Sequence, residues 1–275
     1  ATYKITMTDP NRNGGILNVN FPNSDQVRFH LETEYTFLNP QFQGCNNSPE
    51  LLQPPIDIGC VGRVFTHNPN AYDGDNDSLT YEFITPLQDI DTPVPNYEPV
   101  TNISPGQGNN ITIDRETGDI VWDAPQRKGE YNIAILIREY RNGQQIGSIV
   151  RDMQILVQEC ENLPPVVEVP FDEVCIVAGE TLEFDVTATA PLSEMDQKVR
   201  LTALGGPFEV SPSPATFTPN TQTFEEDPVV KTFRWEVPCE AISSQFYQVV
   251  FKATDNALGD TTGLATLKTV RIKVV

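Results

Sequence analysis

The sequence predicts an all-β chain of tandem β-sandwich domains, and three observations carry that prediction. Its 275 residues exceed the roughly 100 to 150 of one domain and suit about two sandwich-sized modules. With 39% hydrophobic residues, 23 prolines and 17 glycines against three methionines, the composition favours short strands punctuated by turns. Apolar residues alternate with the period of half-buried strands: Leu182, Phe184 and Val186 stand against Glu183, Asp185 and Thr187, and Ile133, Ile135 and Ile137 against Ala134, Leu136 and Arg138. No amphipathic helix of useful length is apparent.

Internal repetition sets the domain boundaries. Cys45-Asn46-Asn47-Ser48-Pro49 followed by Cys60 is echoed by Cys160-Glu161-Asn162-Leu163-Pro164 followed by Cys175. Trp122 after Gly118-Asp119-Ile120-Val121 has its counterpart in Trp235 after Lys231-Thr232-Phe233-Arg234, and Tyr131 to Ile135 in Tyr247 to Phe251. Landmarks in one order indicate a repeat. A partial third copy opens the chain, where Tyr3-Lys4-Ile5-Thr6-Met7 and Val27-Arg28-Phe29-His30-Leu31 match the two terminal hairpins. The expected organisation is therefore a terminal hairpin of a preceding or first domain over residues 1–43, one sandwich over 44–159 and a second over 160–275. Trp122 and Trp235 each end a strand before a Pro turn and read as core residues between two sheets, with sugar stacking as the alternative.

Lys+Arg of 18 against Asp+Glu of 38 leaves a formal charge of -20. Such a surface repels nucleic acid and anionic lipid head groups and can attract divalent cations. There is no run of about 18 apolar residues to cross a bilayer, and Ala1 to Ile5 lack the regions of a signal peptide, so the chain reads as mature or internal.

Five cysteines without a CxxC pair, and just two histidines, argue for disulfides in an oxidising compartment and against zinc. At least one thiol is left over. Cys45 is the nearest partner for Cys60. Cys175 has two, Cys160 and Cys239, and pairing with Cys239 is favoured because only the second copy carries that cysteine.

Site chemistry concentrates in Asp73-Gly74-Asp75-Asn76-Asp77-Ser78. Carboxylates two positions apart in a turning backbone can converge hard oxygens on Ca²⁺ at about 2.3 to 2.6 Å. The loop lacks the later glutamate and flanking helices of an EF-hand. Asn70 and Glu139 are the further oxygen donors expected, and an ordinary metal-free turn is the competing reading. The second copy has only Glu194 and Asp196 in the corresponding stretch. Neither His30 nor His67 has a GxSxG nucleophile or an HExxH partner, so no enzyme is expected.

Asn47-Ser48-Pro49, Pro54-Pro55-Ile56-Asp57, His67-Asn68-Pro69-Asn70-Ala71-Tyr72-Asp73, Val177-Ala178-Gly179-Glu180-Thr181-Leu182 and Tyr247 to Asn256 together resemble repeats of large Bacteroidota surface proteins. Those proteins end in a gliding-motility-associated C-terminal domain. The resemblance implies immunoglobulin-like or cadherin-like modules, type IX secretion, a secreted or cell-surface location, and roles in adhesion, gliding or fibres. In cadherin-like modules an acidic loop follows the second strand, as this one follows Val64-Phe65-Thr66.

The expected function is a non-enzymatic structural or adhesive segment, stiffened by Ca²⁺. Its partners would be neighbouring repeats, further copies in a fibre, or a cell-surface or glycan ligand. Nucleic acid and membrane insertion are not expected. The alternatives are a carbohydrate-binding module, with Tyr72, Tyr81, Tyr97 and Tyr140 as the stacking residues, and a passive spacer carrying an enzyme or tip domain elsewhere.

Overall fold

The structure is a computed structural model that describes residues 1–103, 106, 108–191, 197–256 and 263–275. Two units partition the chain: residues 1–50, 54–65 and 73–159 form the first, and 51–53, 66–72 and 160–275 the second. The expected opening hairpin belongs to the first unit.

The strands up to the first unit's last hairpin are β1 (Thr2–Asp9), β2 (Phe29–Thr36), β3 (Glu50–Leu51), β4 (Ile56–Cys60), β5 (Phe65–His67), β6 (Ala71–Tyr72), β7 (Ser78–Ile84), β8 (Leu87–Asp89), β9 (Thr92–Pro93), β10 (Asn110–Ile113), β11 (Ile120–Asp123), β12 (Gly129–Arg141) and β13 (Gln144–Gln158). The main sheet runs β7-β12-β13-β2-β8-β9, with β1 on β2 and β4 parallel on β13. The β10–β11 hairpin lies across it, and Trp122 meets Tyr131 edge-on, ring centroids 5.0 Å apart. Tyr131, Ile133, Ile135 and Ile137 of β12 are buried together, the outcome expected of their period-2 spacing.

The opposite face of β12 and β13 carries Asn132 and Asp152, and the chain between β1 and β2 covers them. Arg12 donates to Asp152 Oδ2 at 2.7 Å and to Asn132 Oδ1 at 3.1 Å, while Asn18 and Asn132 exchange side-chain and backbone bonds. A small satellite core of Ile16, Val19, Val27 and Val94 forms under this cover. Here the buried charges of Arg12 and Asp152 are paired with each other.

The second unit contains β14 (Val166–Glu168), β15 (Glu173–Ile176), β16 (Thr181–Thr189), β17 (Lys198–Gly205), β18 (Thr216–Thr218), β19 (Glu225–Glu226), β20 (Val229–Glu236), β21 (Tyr247–Asp255) and β22 (Ala265–Val274). It is a sandwich of two sheets, β14-β16-β20-β18 and β15-β22-β21-β17-β19. Phe184, Phe233, Trp235, Val249 and Phe251 fill the space between them. Trp235 stands 5.2 Å from Tyr247, repeating the Trp122–Tyr131 pair, and β15 runs parallel to β22 as β4 does to β13. Both units are immunoglobulin-like β-sandwiches built on one pattern, as predicted.

The disulfide assignment requires correction. Cys60 and Cys160 are the disulfide-bonded cysteines, whereas Cys45, Cys175 and Cys239 are free and exposed. Neither Cys45–Cys60 nor Cys175–Cys239 forms. The parallel ladder explains part of this: it sets Cys60 opposite Gln158 at the end of β13. Proximity in sequence is a poor guide to a partner once strand pairing has carried the residue elsewhere.

Candidate metal centre

The acidic loop is a tight turn between β6 and β7 whose backbone is held by one of its own carboxylates. Asp73 Oδ1 accepts the N–H groups of Asp75 at 2.9 Å and Asp77 at 3.0 Å, and Asn76 adopts the left-handed φ of 63°. Asp, Gly and Asn supply this geometry without a metal. The same arrangement turns Asp73 and Asp77 inward, where both are buried.

Glu139 approaches from β12. It lies directly opposite Gly147 of β13, and a Cβ at that glycine would stand 2.5 Å from Glu139 Oε2 and 3.2 Å from the Glu34 carbonyl. Gly147 is therefore the vacancy into which the Glu139 side chain folds. The ligand oxygens of Asp73, Asp77 and Glu139 all lie within 4.8 Å of one another. Oxygens placed about 2.3 to 2.6 Å around one Ca²⁺ span up to roughly twice that distance, so the group fits a calcium ion.

Two oxygens in the cluster are buried without a hydrogen-bond partner, Asp73 Oδ2 and Glu139 Oε1. Burial raises the Asp73 carboxyl to about 6, with the charges of Asp77 and Asp75 adding to the rise. Burial likewise raises Glu139 to about 7, with Asp73 and Asp77 contributing. Three buried carboxylates, two of them with an unpaired oxygen, are costly until a cation or protons neutralise them.

Arg141 partly meets that need. Its Nε and Nη2 hold the two oxygens of Asp77 at 2.8 and 2.5 Å, while Nη1 donates to the carbonyls of Gln43 and Cys45 and Nη2 to Asn46 Oδ1. Sequence reading missed this residue. Its signal is an arginine two positions after Glu139, on the same face and at the end of the same strand.

The five expected ligands divide. Asp73, Asp77 and Glu139 come together. Asp75 lies outside this group of three: both its oxygens accept from Asn47, whose backbone N–H lies at 2.5 Å and whose amide lies at 3.1 and 3.2 Å. Alternation along the turn sends the middle carboxylate outward while its neighbours point in. Asn70 belongs to the segment 66–72 of the second unit, where its N–H donates to Asn68 Oδ1 at 2.6 Å. In the second copy, Asp255 accepts from Asn162 at 2.8 Å and from the Leu264 N–H at 2.9 Å. Glu194 and Asp196 lie outside the described residues.

His30 is buried in a cross-strand stack, with Thr8 Oγ1 2.6 Å from Nδ1 and Glu32 Oε1 3.3 Å from Nε2. Glu32 also accepts from Lys4 at 2.9 Å and from the Asp91 N–H at 2.7 Å. This carboxylate is engaged on both oxygens in tying β1 and β2 to the 89–91 turn.

No family profile and no curated protein matches the chain. Among solved structures, it is similar to tandem Ig repeats of Dlar (13% identity, 82% of this chain and 97% of that one, TM-score 0.30). It is also similar to a titin Ig tandem (9%, 82% and 96%, 0.27) and to human CDH23 EC21-23 (17%, 81% and 73%, 0.26). Among the described residues no helix is long and apolar enough to cross a membrane.

Proposed function

We propose that the chain is a structural and adhesive segment of an exported bacterial surface protein, and that Ca²⁺ bound by Asp73, Asp77 and Glu139 stiffens its first unit. The observation that carries the metal reading is the pair of unpartnered buried oxygens, Asp73 Oδ2 and Glu139 Oε1, within one carboxylate group. A loop that only turned the chain would not need to bury Glu139 from a different strand. Calcium would join β12 to the 73–77 turn and offset the repulsion among the three carboxylates. Export through the type IX route, and a place in adhesion or gliding, rest on the sequence resemblance together with the tandem sandwich architecture.

The tyrosines suggested for a sugar platform favour the structural role. Tyr81 is buried, and Tyr72, Tyr97 and Tyr140 are half-buried, so the four do not form an exposed row.

Calorimetric titration with calcium tests the metal reading. Binding near one equivalent is expected, with loss of affinity in Glu139→Gln and in Gly147→Ala, whose methyl would stand against Glu139 Oε2 and displace that ligand while leaving its carboxylate chemistry unchanged. Equal affinity in all three proteins would place calcium elsewhere.

A further inference from the structure

The first strand is an open edge. β1 pairs with β2 over all eight of its residues, no strand among the described residues pairs with its other side, and each of the eight is exposed. Natural edges are usually guarded by a bulge, a proline or an outward lysine. β1 has neither bulge nor proline. Its one lysine, Lys4, is drawn down onto Glu32 at 2.9 Å and Asp91 at 2.5 Å on one face of the ribbon. The other face presents Tyr3, Ile5 and Met7, 55%, 63% and 53% exposed, with Phe37 stacked edge-on to Tyr3 at 5.2 Å.

The hydrogen-bond phase of the edge follows from one contact. Phe37 N–H donates to the Ala1 carbonyl, so Ala1 and the other odd residues of the strand direct their backbone groups to β2. Thr2, Lys4, Thr6 and Thr8 therefore direct theirs outward, to the unpaired side.

We propose that β1 is a self-association edge, which pairs antiparallel with β1 of a second copy about a two-fold axis at Ile5. In that register Thr2 faces Thr8 and Lys4 faces Thr6 of the partner copy, so every outward N–H and C=O is matched. Ile5 meets its own counterpart, and Tyr3 meets Met7, in the closer non-hydrogen-bonded positions. Charge selects both the occupant and the register. In a chain of net charge -20, β1 is a long exposed strand whose sole acid is its terminal Asp9, so two copies can approach here without facing carboxylates. Shifting the axis to Lys4 would set two lysines opposite each other. The contact is isologous and closes as a dimer. It supplies a surface for the structural role proposed above but is independent of the metal.

Sedimentation of the full chain in EDTA over a concentration series tests the proposal without calcium. A monomer–dimer equilibrium is expected, and both Ile5→Lys and Thr6→Pro should shift it to monomer. Thr6→Pro removes an outward N–H and leaves the β1–β2 bonds intact, and circular dichroism confirms the fold of each variant. With Cys45, Cys175 and Cys239 replaced by serine, mild oxidation of Ile5→Cys should give a dimer linked through the introduced thiols, and that of Thr2→Cys should not. A monomer at every concentration would overturn the proposal, as would a dimer unaffected by both variants or a Thr2→Cys dimer formed as readily as that of Ile5→Cys.

Discussion

Arg141 grips both oxygens of Asp77, at 2.8 and 2.5 Å, from the end of the strand that also carries Glu139. The guanidinium neutralises one carboxylate of the buried trio and holds the 43–46 segment through two carbonyls and Asn46. Lysine cannot reproduce that fork. Arg141→Lys should therefore cost about 1–2 kcal/mol in chemical denaturation. It should also expose the 39–47 segment to limited proteolysis before the rest of the unit unfolds. An unchanged digestion pattern would show that the segment is held by something else.

The raised carboxyls give the metal-free protein a defined pH dependence. Asp73 and Glu139, at about 6 and about 7, bind protons in the folded state that they have released in the unfolded one, where they titrate near 4. Folded chains thus hold more protons across about pH 4 to 7, and stability falls as pH rises through that window. In EDTA the melting temperature should be higher at pH 5 than at pH 8. The calcium response should be largest at pH 8, where the ligands are ionised without proton competition. The double variant Asp73→Asn, Glu139→Gln should show a flatter profile. A slope unchanged by the double variant would assign the effect to other groups.

Buried charge elsewhere makes a separate prediction. Arg12 and Asp152 have side chains only 2% exposed each, and removing one partner strands the other. Asp152→Ala should destabilise the first unit by about 3–5 kcal/mol in urea denaturation and free the 10–28 segment to proteases. A loss below about 1 kcal/mol would mean that water reaches Arg12 and replaces the carboxylate.

Thiol chemistry checks the corrected cysteine assignment. In the native protein Cys45, Cys175 and Cys239 should alkylate readily, while Cys60 and Cys160 should alkylate only after reduction. Peptide mapping that recovered a Cys175–Cys239 disulfide would reverse the correction.

Much of the fold was legible because its signals are local. The alternation at Ile133, Ile135 and Ile137 and the echo of Trp122 in Trp235 follow from strand period and repeat spacing, and the buried strands and the two edge-on aromatic pairs follow that pattern. The acidic turn was equally visible, but which of its carboxylates points inward depends on Asp73 capping the turn, a contact no spacing encodes. Partnerships across long separations stayed hidden. Arg141 with Asp77, Arg12 with Asp152 and the space that Gly147 leaves for Glu139 all arise from sheet register, in which residues far apart in sequence become neighbours.

Calcium binding at Asp73, Asp77 and Glu139 is tested most directly by paired thermal melts at pH 8 in calcium and in EDTA. With calcium about 100-fold above its dissociation constant, linkage gives about 2.7 kcal/mol of stabilisation, which amounts to several degrees for a unit of this size. The native chain should show that rise and Glu139→Gln should not. Superimposable melts of the native chain with and without calcium, or an equal rise in Glu139→Gln, would exclude calcium from this carboxylate group.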